Sequence, residues 1–138
     1  MDNKNFIQKI RDHYDSKEVN EFHHQIGGKE DIHIGIYTKK EKTIKAAGRK
    51  TILKMVKRLP SIKKSHKILD IGSGYGGAAR FLAEKYGCRV DCLNLSETQN
   101  KLNLKKVEAA DLEKLVSVTT GNFKQIPFDR ETYDFVWS

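Results

Sequence analysis

The glycine-rich run Gly72-Ser73-Gly74-Tyr75-Gly76-Gly77 follows directly on an apolar segment, Ile68 to Ile71, and a second apolar segment further on ends at Asn94. Backbone without side chains can approach a ligand closely, and a helix opening just behind it turns its free N–H groups toward that ligand. A polar side chain at the end of the next strand can then bond sugar hydroxyls. Residues of these types, in this order, let a chain wrap around an adenosine.

Gly72, Gly74 and Gly77 match G-x-G-x-x-G, and such a match alone does not choose between ligands. Nicotinamide enzymes place Asp or Glu about 20 residues further on to hold the ribose. Here that place is taken by Asn94. Asp70 stands two residues before the first glycine, on the strand end expected to face the ligand. A carboxylate there repels a pyrophosphate and attracts an ammonium and a sulfonium. The residue chemistry therefore favours S-adenosylmethionine over NAD.

These residues need a scaffold, and the pattern from Lys67 onward supplies one. It predicts strands over 67–71, 89–93, 115–119 and 132–137, with helices over 75–86 and 97–112. Such alternation means an α/β fold with a parallel sheet covered by helices. Gly87 stands where a left-handed C-cap belongs, and Ser96 with Gln99 forms a capping box. Ligands of such sheets sit at the carboxyl ends of the strands, here Gly72 to Gly76, Asn94, Asn122 and Ser138. Residues 1–60 lack strand alternation. Helices are expected from Asn3 to His13, with Phe6, Ile7 and Ile10 on one side, and from Ser16 to Gln25. The chain divides at about residue 60 into a helical N-terminal part, 1–60, and an α/β part, 61–138.

The 138 residues carry a net charge of +8, and its distribution is uneven. Residues 39–67 hold twelve Lys or Arg against one acid, Glu41. Ile44, Ile52, Val56 and Leu59 recur among them near helical spacing, which predicts a basic amphipathic helix over 41–58 that ends before Pro60. This helix presents either a solvated face or contact with an anionic membrane surface. It has no aromatic interleaving and no RNA-binding motif, so no nucleic-acid partner is expected. No apolar run approaches the roughly 20 residues that cross a bilayer, and no secretory signal is visible. Cys88 and Cys92 lie too far apart along one strand for a disulfide. They read as buried apolar residues of a reducing cytoplasm. The histidines have no zinc spacing, so no metal is expected.

Five linked segments carry a family resemblance: HYDS near the start, GGKEDIHIGIY, LDIGSGYGGAARFLA, CLNLSETQN and YDFVWS. ILDIGSGYGGAARFLAEKYG resembles the first motif of class I S-adenosylmethionine-dependent methyltransferases. The five together are similar to the sarcosine/dimethylglycine N-methyltransferases of glycine betaine synthesis, relatives of the phosphoethanolamine methyltransferases and the cyclopropane fatty acid synthase group. The resemblance implies a Rossmann-like sheet of which this chain is the N-terminal half. It implies that Gly72, Ser73 and Gly74 approach the methionine part of the cofactor, with Asp70 supporting its ammonium. Asn94 would hold the ribose, Leu95 would lie against the adenine, and Gln99 would stand nearby. Asn122 would bond the adenine amino group beside Phe123, and Ser138 would face the methionine end. Tyr14 with His33 and Ile34 would close over the cofactor, and Tyr14 and His33 are the candidate catalytic residues.

The implied chemistry is displacement at a sulfonium methyl by the neutral amine of a small substrate. A phospholipid or phosphoethanolamine acceptor, or a non-catalytic fragment of such an enzyme, are the alternatives. Class I sheets usually have seven strands and four are readable here. The fourth should therefore present an apolar edge, open to self-association or to a missing C-terminal half.

Overall fold

A computed structural model of the chain describes residues 3–26, 35–40 and 42–138. Its elements run α1 (Asn3–Asp15), α2 (Lys17–Ile26), α3 (Ile44–Val56), β1 (Lys67–Ile71), α4 (Gly77–Tyr86), β2 (Arg89–Asn94), α5 (Glu97–Glu108), β3 (Val116–Thr120) and β4 (Phe135–Trp137). The strands form one sheet in the order β3-β2-β1-β4, every pair parallel. The expected four-stranded parallel sheet with flanking helices is thus present. Strand order reverses at β1, so the crevice for a ligand opens beyond the carboxyl ends of β1 and its neighbours.

Strand parity decides what the sheet buries. Ile68, Val90, Cys92, Val116 and Trp137 turn to the helix layer and pack there with Ala79, Leu82 and Val107. Both cysteines are fully buried and unpaired. Ile52 of α3 belongs to the same core, so packing is continuous across residue 60. The inward face of α3 differs from the expected stripe. Ala47 is fully buried while Ile44 is 38% exposed. The cause is the segment before the helix, where the Ile36 N–H bonds to the Ala47 carbonyl at 3.1 Å.

Several ends differ from the pattern: α3 runs Ile44–Val56 rather than 41–58, α4 starts at Gly77 rather than 75, and two further ends have a local cause. Helix α5 stops at Glu108 rather than 112, because Asp111 adopts φ +53° and the Leu112 N–H turns back to the Val107 carbonyl. That is a left-handed helix stop made without glycine. Strand β4 starts at Phe135 rather than 132, because Tyr133 leaves the ladder to donate its hydroxyl to Asp91 Oδ2 at 2.8 Å. Beyond β4 no further strand pairs among the described residues, and Val136 on that edge is 63% exposed.

Asp91 gathers a polar cluster on the sheet face away from the helices. Its oxygens accept from Ser117 Oγ at 2.5 Å and Tyr133 Oη at 2.8 Å, and Lys67 Nζ lies 3.0 Å away. Burial pushes the Asp91 carboxyl up, but the bonds from Ser117, Tyr133 and Lys67 and the Lys67 charge outweigh it, and the net shift is down. A carboxyl lowered on folding stabilises the fold above its unfolded pKa, and that contribution is lost as pH falls through the folded value. Thermal melts from neutral pH to about pH 3 should show Asp91→Asn with a shallower acid-side loss of stability than wild type. Parallel curves would remove Asp91 from the acid response.

Candidate functional site

A cavity of about 400 Å³ lies at the carboxyl ends of the strands. Gly72 and Gly74 form one wall, Asn94, Leu95 and Gln99 a second, and Gly121, Asn122 and Phe123 a third. Helix α1 roofs it with Phe6, Ile7, Ile10 and Tyr14, and His23 of α2 adds to the lining, as do Leu93, Ser96 and Lys124. Its size suits a nucleoside-sized molecule, since small-molecule sites usually span about 300–1,000 Å³.

The glycine loop is pinned from several directions. The Gly72 N–H bonds to the Leu93 carbonyl at 2.8 Å, which ties the loop to the end of β2. Gly72, Gly74 and Gly76 all have positive φ. Arg80, 8% exposed, donates from Nη1 to the Tyr75 carbonyl at 2.5 Å and to Asn103 Oδ1 at 2.8 Å. A side chain at Gly76 would collide with Asn103, whereas one at Gly72 would have no neighbour within 4 Å. The loop is therefore tight underneath and open above, toward the cavity.

The polar arms are set by helix capping. Ser96 Oγ accepts the Gln99 N–H at 3.1 Å, the first half of the expected capping box, while the Gln99 side chain turns to Asn94 instead of back to Ser96. Asn94 Nδ2 donates to Gln99 Oε1 at 3.2 Å, which leaves Asn94 Oδ1 as an acceptor for a hydroxyl. Asn122 Oδ1 accepts the Lys124 N–H at 3.1 Å and so caps the 3₁₀ turn Phe123–Gln125. An adenine amino group would have to share that oxygen, while Asn122 Nδ2 can donate to a ring nitrogen. Phe123 is 64% exposed, a flat apolar surface at the cavity edge.

Of the residues singled out in the sequence, Tyr14, Gly72, Gly74, Asn94, Leu95, Gln99, Asn122 and Phe123 meet at this cavity. Asp70, Ser73 and Ser138 stand outside its lining. Asp70 is in register with Cys92 and Trp137 and is only 3% exposed, on the helix side of the sheet. Burial, then the Asp70 charge, push the Cys92 thiol up to about 12, against the opposing pull of Ser73, Asn103 and Arg80. Asp70 thus belongs to a buried polar cluster beneath the glycine loop. His33 and Ile34 fall outside the described residues.

Four contributions were not read from the sequence as parts of the site. Phe6, Ile7 and Ile10 were legible as a helix face, but nothing local said what that face covers. His23 read as an ordinary histidine, yet its Nδ1 is buried without a hydrogen-bond partner, and its ring stacks on Tyr14 with centroids 6.4 Å apart. Asp15 and Asn20 tie the roof to the strands' end through bonds spanning 81 and 55 positions of sequence. No local pattern encodes such pairs.

The family model described as mycolic acid cyclopropane synthetase matches residues 1–138. The chain is 41% identical over 134 residues to a glycine/sarcosine/dimethylglycine N-methyltransferase of Actinopolyspora halophila, covering 97% of this chain and 24% of that protein. It is 39% identical over 132 residues to the sarcosine/dimethylglycine N-methyltransferase of Halorhodospira halochloris, covering 96% of this chain and 47% of that one. A crystal structure of a proposed sarcosine dimethylglycine methyltransferase from Galdieria sulphuraria superposes with a TM-score of 0.78 at 36% identity, over 88% of this chain and 48% of that one. The chain thus spans at most about half the length of these relatives.

Proposed function

The chain belongs to the mycolic acid cyclopropane synthetase family and has its Rossmann-like sheet, and on that premise we propose that it is the cofactor-binding part of an S-adenosylmethionine-dependent N-methyltransferase acting on a small amine such as sarcosine or dimethylglycine. One observation carries the reading. A single cavity gathers the glycine loop, Asn94, Gln99, Asn122 and Phe123, in a chain 39–41% identical to relatives named as amine N-methyltransferases.

The residues present fit the cofactor. Asn94 Oδ1 would take a ribose hydroxyl, Asn122 and Phe123 would take the adenine, and the backbone at Gly72 and Gly74 would lie along the methionine part. Asp70, buried beneath the glycine loop and outside the cavity wall, would favour the ammonium only at a distance, by its charge. S-adenosylmethionine supplies a methyl group made electrophilic by its sulfonium. The protein's task is to hold an amine lone pair behind that methyl, and such alignment is worth about 7–11 kcal/mol of barrier. The apolar roof of Phe6, Ile7 and Ile10 excludes water from the displacement. An ammonium substrate must lose a proton before attack. Tyr14, on the cavity wall with the His23 ring stacked against it, is the side chain that would orient the amine.

Titration calorimetry with S-adenosylhomocysteine tests this reading. Saturable heat is expected with it and none with NADH. Absence of heat with S-adenosylhomocysteine at high protein concentration would overturn it.

A second reading, with a phospholipid or phosphoethanolamine as acceptor, draws on the exposed cations of α3, among them Lys45, Arg49 and Lys54. Co-sedimentation with anionic liposomes that weakens with salt would support it. No co-sedimentation at low salt would remove the phospholipid acceptor.

A further inference from the structure

The roof helix is fastened to the sheet side of the cavity at its last residue. Asp15 Oδ1 accepts the Ser96 hydroxyl at 2.5 Å and the Thr98 N–H at 3.1 Å. Ser96 is the N-cap of α5, so its hydroxyl gives its proton to Asp15 while its oxygen accepts the Gln99 N–H. A carboxylate from the far end of the sequence therefore satisfies a free donor in the first turn of α5, where the helix dipole also favours negative charge. A second fastening stands beside it. Asn20 Nδ2 donates to the Tyr14 carbonyl at 2.7 Å and to the Ser16 carbonyl at 2.8 Å, and its Oδ1 accepts the Tyr75 hydroxyl at 2.7 Å. The corner between α1 and α2 is thus clamped between the start of α5 and the glycine loop, and Tyr14 is held at the cavity.

We propose that Asp15 is a positioning residue that latches α1 across the cofactor cavity and so sets how long a bound nucleoside stays. It touches no cavity surface itself. Its effect on cofactor lifetime rests on the methyltransferase reading, whereas its effect on α1 does not. A bound nucleoside lies under Phe6, Ile7 and Ile10, so it leaves when α1 lifts. The Asp15 bonds are among those that must break for this to happen.

The test uses the full chain as wild type, Asp15→Ala and Asp15→Asn. Hydrogen exchange without ligand should show α1 amides exchanging about 2–30-fold faster in Asp15→Ala relative to α4, the range a lost helix cap produces. Asp15→Asn keeps an acceptor oxygen and should restore most of the protection. Stopped-flow kinetics should show S-adenosylhomocysteine leaving Asp15→Ala faster by a similar factor, and entering it faster as well, because the same lifting of α1 admits the ligand. Should Asp15→Ala not fold, Asn20→Ala releases the same corner and carries the same expectation. Exchange that rises only in the first turn of α5, with α1 unchanged, would reduce Asp15 to a helix cap and overturn the latch. Faster α1 exchange with unchanged ligand release would overturn its role in residence. A wild type that does not bind S-adenosylhomocysteine would refute the methyltransferase reading instead, and the exchange comparison would still decide on α1.

Discussion

Gly76→Ala is expected to lower stability by about 2–5 kcal/mol and to abolish S-adenosylhomocysteine binding. Two costs add. Gly76 sits at φ +72°, where an L-residue costs about 1–2 kcal/mol. Its new methyl would also collide with Asn103, which is fully buried and held by Arg80, and overpacking adds about 1–3 kcal/mol. The collision pushes on the turn that shapes the cavity wall, so fold and ligand suffer together. Gly72→Ala is the matched control. It shares φ +72° but meets no atom within 4 Å, so only the backbone cost of about 1–2 kcal/mol remains. Its methyl lies at the ligand wall, so affinity should fall further than stability. Thermal melts and calorimetry on both variants separate the two. Equal melting shifts would refute the account of Asn103 as the floor of the loop.

Asn94→Ala should weaken S-adenosylhomocysteine by about 1–3 kcal/mol, roughly 5- to 150-fold, with little change in melting temperature. The amide offers its oxygen as the acceptor for a hydroxyl, while one of its two N–H groups is engaged by Gln99. The expectation sharpens with a ligand lacking its ribose hydroxyls. Wild type should lose most of its affinity advantage on that ligand, whereas Asn94→Ala should bind both ligands alike. Asn94→Asp should bind as well as wild type or better, since a carboxylate can accept from both hydroxyls and Gln99 can turn its amide nitrogen toward it. If Asn94→Ala still distinguishes the two ligands as wild type does, the ribose is held elsewhere.

Much of this was legible in the sequence because local rules agree with the tertiary result between Lys67 and Asn100. The glycine run, the Gly87 cap and the Ser96–Gln99 cap each specify one local geometry, and the sheet uses all three. Legibility failed where geometry depends on parity or on distant partners. Asp70 read as facing the ligand because it precedes the glycines, but strand alternation turns it with Cys92 into the helix layer. Asp111 ends α5 in a conformation that glycine usually announces, so the helix read too long. Tyr133 read as strand, and Asp91 across the sheet draws it away. The roof was the largest omission. A helix face of Phe6, Ile7 and Ile10 is visible in any helical projection, but its seat over the cavity depends on Asp15 meeting Ser96 and Asn20 meeting Tyr75.

The most direct test of the central claim is a crystal structure of this chain soaked with S-adenosylhomocysteine. The account predicts density in the cavity of about 400 Å³, with the ribose within hydrogen-bond distance of Asn94 Oδ1 and the adenine between Leu95 and Phe123. Density at another surface, or a cavity filled by the side chains of α1 at saturating ligand, would contradict it.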